Sequence, residues 1–378
     1  MVTLGTHALG HGPFPRLSLP GLFDARSRHV GSIPTGVARR ILLPEPPSGR
    51  HMLARMALDE HPPGDVWNAP DYTTVTPWTC VFTDVALFGD GGITVADGGV
   101  VGDTLVHCEP GRQWFAEGPE GITLFSAAAP VALEGTWLSL LGGGHWNYYH
   151  WLTDGIGRLA AADAAILAEC QGVLLPARPV PVAEETILRS GITRGRAVRR
   201  VEPWDAFACR RVVVPWAMAT IYEPHPRLAS FLAALVPPAA PGPRRRLYID
   251  RRGAPNRVLA NEAEVIGGLA RFGVMPVTLE GCGFAEQAAL FADAELVVAP
   301  HGAGLVNLVF APRDCRIVEL LPDTYANWCF RRLAASCGMA YDCVMGRGAP
   351  GDGSIHTRRW HVAPTHVQAA VAGALYAD

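Results

Sequence analysis

The sequence predicts an α/β protein of two domains, the second Rossmann-like, with a β-rich region ahead of the α/β part of the first. Three observations carry this. From Asn147 onward, short apolar runs alternate with longer helical segments, the pattern of a parallel sheet covered by helices. Pro237-Pro238-Ala239-Ala240-Pro241-Gly242-Pro243 places four prolines in seven residues, a composition that cannot continue a helix or a central strand. A length of 378 residues fits two domains of ordinary size.

The first ~70 residues are rich in Pro, Gly and Arg and weakly periodic, and give no element. Between positions 70 and 141 the pattern is β: Cys80–Phe88, Ile93–Ala96, Thr104–His107, Ile122–Phe125 and Trp137–Leu141 are apolar runs broken by Gly turns. Residues 142–236 read as α/β, with helices over Asn147–Cys170, Glu184–Arg189 and Pro224–Leu235 and strands over Gly172–Leu175 and Arg211–Val214. The Pro-rich linker, 237–243, then separates the first domain, 1–236, from a compact second one, 244–346. Its strands are Arg246–Ile249, Met275–Leu279, Glu295–Ala299, Arg316–Leu320 and Tyr341–Met345. Its helices are Asn261–Arg271, Phe284–Ala292, Leu305–Phe310 and Asn327–Cys337. A Gly-rich loop, Arg347–Arg359, leads to a last helix, Pro364–Ala377, within a tail of 347–378.

Composition excludes several function classes. Aliphatic and aromatic residues make up 49%, enough for packed cores, and the net charge of −3 argues against a polyanion or nucleic-acid binder. No apolar run approaches the ~20 residues of a membrane helix. All 32 basic residues are Arg. A Schiff-base or P-loop lysine is therefore impossible, and any phosphate must be held by Arg, His or backbone N–H. Nine Cys are scattered without a CxxC pair, which predicts neither a zinc site nor a disulfide framework and fits a reducing cytosol. The N-terminus shows no signal-peptide pattern.

Ligands of doubly wound domains sit at the C-terminal ends of the parallel strands, and three polar clusters fall there. After the strand ending at Ile249 come Asp250-Arg251-Arg252 and Arg257, whose guanidinium forks suit a pyrophosphate; Asn261 opens the next helix. After Leu296-Val297-Val298 comes His301-Gly302-Ala303-Gly304 with Asn307, a Gly-rich strand-to-helix turn whose free N–H groups suit an anion. Glu319, at the end of a third strand, suits ribose hydroxyls. Glu286 lies on the helix between, as a lesser candidate. The alternative for each is structural: a solvated basic loop, an ordinary turn, a capping acid.

In the first domain, Gly142-Gly143-Gly144-His145-Trp146-Asn147-Tyr148-Tyr149-His150-Trp151-Leu152-Thr153-Asp154 stands apart. The glycines end a strand and Asn147 is a good helix N-cap. His150 and Asp154 are four residues apart on one helical face, so the carboxylate can orient the imidazole as a general base. His145 and Asn147 can line the same site. The alternative is that these groups pack an internal face, with Asp154 paired to Arg158.

Taken together, Asn147-Tyr148-Tyr149-His150-Trp151-Leu152 with Asp154 and Arg158, Tyr248-Ile249-Asp250-Arg251, Arg257, Asn261-Glu262, Phe284-Ala285-Glu286-Gln287, His301-Gly302-Ala303-Gly304-Leu305 with Asn307, and Glu319 resemble glycosyltransferase family 61, including its bacterial capsular polysaccharide enzymes. The match covers roughly Asn147 to Met345. Asp250, Gly157 and Val306 depart from the residues common there, and none of these removes a charged or His position. The resemblance implies a GT-B-like architecture: two Rossmann-like domains facing across a cleft, with the C-terminal helix crossing back. It implies an inverting, metal-independent transfer from a nucleotide-diphosphate sugar, a UDP-sugar by preference, to a glycan or lipid-linked glycan hydroxyl. No cofactor and no metal are expected. Arg251, Arg257 and the turn from His301 to Gly304 would hold the donor, Glu319 its ribose, and His150 or Asp154 would take the proton. Surface-polysaccharide synthesis in a bacterial cytoplasm, with peripheral contact at the inner membrane face, is the setting expected. Two rivals use the same residues: a sugar-nucleotide epimerase, which needs no acceptor, and a non-catalytic glycan- or nucleotide-binding subunit.

Overall fold

A computed structural model describes residues 9–17, 38–42, 50–52, 71–73, 78–215, 224–237, 242–325, 327, 329–348 and 357–376. Most of the first 70 residues, linker residues 238–241 and loop residues 349–356 lie outside the described residues. The chain divides into two compact units, Met1–Pro47 with Thr76–Thr220, and Ser48–Val75 with Ile221–Asp378.

In the first unit, strands β1 (Leu9–Phe14), β2 (Arg16–Leu17) and β3 (Ala38–Leu42) come first; β4 (Arg50–Met52) and β5 (Asp71–Thr73) belong to the second unit. The first unit resumes with β6 (Trp78–Phe88), β7 (Ile93–Ala96) and β8 (Gly99–Val101). After them come β9 (Phe115–Gly118), β10 (Gly121–Ser126), β11 (Val131–Ser139), β12 (Gly172–Pro176), β13 (Ala197–Val201) and β14 (Ala206–Pro215). The main sheet runs β13-β12-β11-β14-β6-β7-β8-β2, with β3 beside β6. Pairs β13-β12, β12-β11 and β11-β14 are parallel, and β14-β6 is antiparallel. All five residues of β12 are buried, as a parallel strand covered on both faces must be. The core includes Phe82, Leu87, Leu174, Phe207 and Val212.

Two expectations fail here. The expected strand Thr104–His107 is a 3-10 turn, Gly102–Leu105, because Thr104 Oγ1 donates to the Val101 carbonyl (2.7 Å) and accepts from Thr94 N (3.0 Å); such local bonds compete with a strand ladder. The expected helix Asn147–Cys170 is broken. An α-turn (Tyr148–His150), a π-turn (Trp151–Gly155) and a 3-10 stretch (Ile156–Ala161) precede helix α1 (Ala164–Glu169). A Cβ on Gly155 would meet the Trp151 ring at 2.6 Å, so glycine there makes room for a fully buried indole. Helix α2 (Ala183–Ser190) follows and supplies Thr186 Oγ1 as the acceptor for Trp151 Nε1 at 2.8 Å.

The second unit contains the β4-β5 pair, then α3 (Pro226–Ala234), β15 (Arg245–Ile249), α4 (Glu262–Leu269), β16 (Val274–Val277), α5 (Phe284–Ala292), β17 (Ala294–Pro300), a 3-10 helix (Ala303–Phe310), β18 (Arg316–Pro322), α6 (Cys329–Cys337), β19 (Ala340–Gly348), β20 (Trp360–His361) and α7 (Pro364–Tyr376). The sheet order is β16-β15-β17-β18-β19, parallel throughout, with β20 antiparallel at its edge. Counting from β15, this is 2-1-3-4-5, a doubly wound order whose switch point lies between β15 and β17. Tyr248, Val265, Leu296, Val298 and Val318 fill its core. Helix α3 precedes the linker yet packs on the 3-10 helix and α6, so the units divide ahead of it. Helix α7, expected to cross back to the first half, packs instead on α4, β18 and β19, burying Val367 and Val371 one turn apart. Among the described residues no helix is long and apolar enough to cross a membrane.

Candidate functional site

In the second unit the site forms at the switch point. Arg251 leaves the end of β15 with its backbone N–H held by Glu262 Oε1 at 2.9 Å, and the same oxygen accepts from Tyr248 Oη at 3.1 Å. Its guanidinium lies across the His301–Gly304 turn: a Cβ on Gly302 would collide with Arg251 Nη1. Gly302 is extended (φ −178°), so glycine is needed here for close approach and not for a tight left-handed bend. Gly304 likewise clears Leu279, whose Cδ1 a Cβ would meet at 2.6 Å. Ala303 opens the 3-10 helix. Arg257 comes in at φ +52°, a left-handed conformation uncommon for a side chain of this size. Its carbonyl accepts from Trp360 Nε1 at 2.9 Å, and its guanidinium carbon sits 4.9 Å from the Tyr325 ring centre.

The Nε atoms of Arg251 and Arg257 are both buried without a hydrogen-bond partner. Burial, and then the neighbouring Arg257 charge, bring the Arg251 guanidinium down to about 10. Glu262 and Glu280 offset part of this charge, but a buried N–H without an acceptor is costly, and an anion would supply one to both Nε atoms. His301 donates from Nδ1 to Glu319 Oε1 at 2.6 Å, and burial, opposed by Glu319 and reinforced by the two arginines, pushes its pKa down.

Four residues expected at the ligand are placed elsewhere by the geometry. Glu319 has no exposed surface, and its second oxygen accepts from Tyr341 Oη at 2.6 Å. Both oxygens being engaged, it has none to offer a ribose; it fixes His301. Asn307 is fully buried and donates to Gln287 Oε1 at 2.9 Å, tying the 3-10 helix to α5 instead of reaching a phosphate. Asn261 exchanges bonds with the Val362 backbone, 2.8 Å from Nδ2 and 3.3 Å to Oδ1. Glu286 accepts from Gly283 N at 2.7 Å and caps α5.

The first unit brings together the other set. Asn147 Oδ1 accepts from Tyr149 N (2.9 Å) and His150 N (3.4 Å), starting the helical segment as an N-cap should. The π-turn then carries Asp154 so that its Oδ2 lies 3.0 Å from His150 Nδ1; such turns recur at functional sites. Arg158 does not neutralise that carboxylate. It donates to the Asp154 backbone carbonyl and, at 3.2 Å, to that of Pro215. His145 lies alongside, with Nδ1 2.8 Å from the Gly142 carbonyl and Nε2 3.3 Å from Asp90 Oδ2.

One residue escaped the sequence reading. His107 Nε2 reaches Asp154 Oδ2 at 3.5 Å, and its ring centre is 3.8 Å from that of His150. It arrives at φ +59°, with the Gly142–Gly144 run passing so close that a Cβ on Gly143 would strike the His107 carbonyl. Three consecutive glycines after a strand are the one signal that something packs there. Burial would raise the Asp154 carboxyl, but the bonds from His107 and His150 outweigh it and hold it well below the usual carboxylate range.

The second unit thus carries two arginines at the strand ends of a doubly wound switch point, and the first unit carries a His–Asp pair. Residues 148–318 match the profile of the family described as Glycosyltransferase 61. The chain is 40% identical over 123 residues to protein O-linked-mannose beta-1,4-N-acetylglucosaminyltransferase 2 of Canis lupus familiaris, covering 27% of this chain and 21% of that protein. The Mus musculus protein of the same name is 36% identical with the same coverage. Beta-1,2-xylosyltransferase XAX1 of Oryza sativa subsp. japonica is 35% identical over 89 residues, 23% of this chain and 16% of that protein. The chain thus aligns with about a fifth or less of the length of these relatives. Together the matches support a glycosyl-transfer role, with the similarity to family 61 confined to residues 148–318.

Proposed function

We propose that this protein is an inverting, GT-B-like glycosyltransferase of family 61 that moves a sugar from a nucleotide-diphosphate sugar, a UDP-sugar by preference, to a glycan hydroxyl. The observation that carries this reading is the pair of buried arginine Nε atoms, of Arg251 and Arg257, that have no partner. A diphosphate supplies the acceptor oxygens these atoms lack, and guanidinium cations can neutralise a leaving diphosphate as a divalent metal does. His301, held by Glu319, adds a third polar contact from the same turn.

The first unit supplies the base. With Nδ1 bonded to Asp154, the neutral His150 ring presents Nε2 as a proton acceptor. The acceptor hydroxyl gives its proton to Nε2 as its oxygen bonds to the anomeric carbon. The bond from that carbon to the diphosphate oxygen breaks in the same step, and its electron pair leaves with the nucleoside diphosphate. Displacement from the opposite face inverts the anomeric centre. The setting we assign is bacterial surface-polysaccharide synthesis at the cytoplasmic side of the inner membrane, with a glycan or lipid-linked glycan acceptor.

Calorimetric titration with UDP-sugars, alongside UDP release with and without a glycan acceptor, tests this. UDP release that requires acceptor, with donor binding lost in Arg251→Ala, is the expected result. Turnover of donor alone to an isomeric sugar nucleotide would point to an epimerase instead.

A further inference from the structure

Asp154 receives two imidazoles on one oxygen. Its Oδ2 lies 3.0 Å from His150 Nδ1 and 3.5 Å from His107 Nε2, and these three atoms all lie within 4.8 Å of one another. The other oxygen, Oδ1, is buried and has no hydrogen-bond partner. The two rings stack with centres 3.8 Å apart and planes 41° apart, so nitrogens from separate chain segments converge on one carboxylate. The convergence is built into the backbone: His107 sits at φ +59°, and Gly143 and Gly144 leave no room for a Cβ beside His107 and His150 respectively.

We propose that His107 Nε2, His150 Nδ1 and the Asp154 carboxylate form a binding site for one divalent transition-metal ion of the zinc class. Ligands ~2.0–2.1 Å from a tetrahedral ion are roughly 3.3 Å from each other, and the two separations around Oδ2 bracket that value. Two imidazoles with a single carboxylate select zinc, cobalt, nickel or copper over magnesium or calcium, which want oxygen ligands. Three protein ligands leave a fourth position open for water.

The consequence of filling the site rests on the assignment of His150 as base. A metal on Nδ1 of a neutral imidazole leaves the ring proton on Nε2. That nitrogen then has no lone pair for the acceptor hydroxyl, so the bound ion arrests transfer. It is an inhibitory site and not part of the donor's phosphate chemistry.

The test uses the full chain, stripped with EDTA, titrated with ZnCl2 by calorimetry and with CoCl2 by absorption. One equivalent should bind, with the visible bands of four-coordinate cobalt and without a near-ultraviolet thiolate charge-transfer band. His107→Ala, His107→Gln and Asp154→Asn should each weaken binding by about tenfold or more, since even outer-shell changes cost ~10–100-fold, while Cys108→Ala binds as the parent does. No stoichiometric binding, a thiolate band, or unchanged affinity in both His107 variants overturns the site. Two variants at His107 guard against one that fails to fold. Zinc that binds in these proportions without slowing transfer removes the base assignment and leaves the metal site standing.

Discussion

His301 Nδ1 lies 2.6 Å from Glu319 Oε1, and Tyr341 Oη lies 2.6 Å from Glu319 Oε2. A fully buried carboxylate on β18 thus holds the imidazole that stands at the end of β17. Glu319→Ala leaves two buried donors without an acceptor, at about 1–3 kcal/mol each, and thermal melting should show the loss. Tyr341→Phe removes one donor with its bond and should cost about 1 kcal/mol. It should leave nucleotide-sugar affinity near the parent's. If Glu319 contacted the ribose directly, Glu319→Gln would weaken binding of a nucleoside as much as of a nucleoside diphosphate. Through His301, the loss should appear only with the diphosphate.

Gly302→Ala is a test of the arginine corner that spares the arginines. At φ −178° alanine is sterically acceptable, so backbone strain contributes nothing. The added Cβ falls on Arg251 Nη1 and displaces the guanidinium. Donor affinity should drop about as far as in Arg251→Ala, by one to two orders of magnitude on the ~1.5–3 kcal/mol scale of charge-assisted bonds. The melting temperature should stay within a few degrees. Parent-like donor affinity in Gly302→Ala would remove Arg251 from the phosphate site.

Much of this corner was legible in sequence because strand ends report themselves. β15 and β17 are short apolar runs, and in a doubly wound domain the residues just beyond such strands must lie at the ligand-binding edge. The fate of Glu319 was not legible. Its strand position is the expected one, but whether a strand-end carboxylate faces ligand or core depends on Tyr341, a residue of the neighbouring strand β19. The His150–Asp154 pair was legible from its spacing, while the π-turn between them was not: it answers to the room Trp151 takes against Gly155. His107 left no periodic trace. A left-handed residue at the end of a 3-10 turn joins the site only through tertiary packing.

Asp90 gives a pH dependence with a definite sign. Burial, and then the Glu202 charge, raise its folded-state pKa from 3.8 to about 7. Between those values the folded chain keeps a proton that the unfolded chain has released, so this group makes stability fall as pH rises from about 4 to 7, by at most about 4 kcal/mol. Asp90→Asn cannot titrate. Its urea-unfolding free energy relative to the parent should therefore improve steadily across that interval. His145, pushed down by its own burial, works in the opposite direction below its ordinary pKa and lies 3.3 Å from Asp90, so the comparison is made in a His145→Gln background. Parallel pH profiles for parent and variant would show that Asp90 is ionised throughout.

Removing the proposed base should separate chemistry from binding. His150→Ala deletes Nε2 while the donor corner, built wholly from second-unit residues, is untouched. The turnover number should fall about 10²–10⁴-fold, with the donor dissociation constant changed less than about threefold on the same reasoning. Gly144→Ala reaches the same end indirectly: a Cβ there would meet His150 Cβ at 2.5 Å and push the ring off Asp154. Asn147→Ala loosens the turn that carries His150 by deleting the cap, at about 0.5–2 kcal/mol of stability. Its activity loss should exceed its stability loss, because a displaced base loses rate before the fold is lost. Single-turnover rates for the three variants, set against donor titrations, distinguish this from a packing role. A packing role would lower melting temperature and donor affinity together and leave the rate per bound donor unchanged.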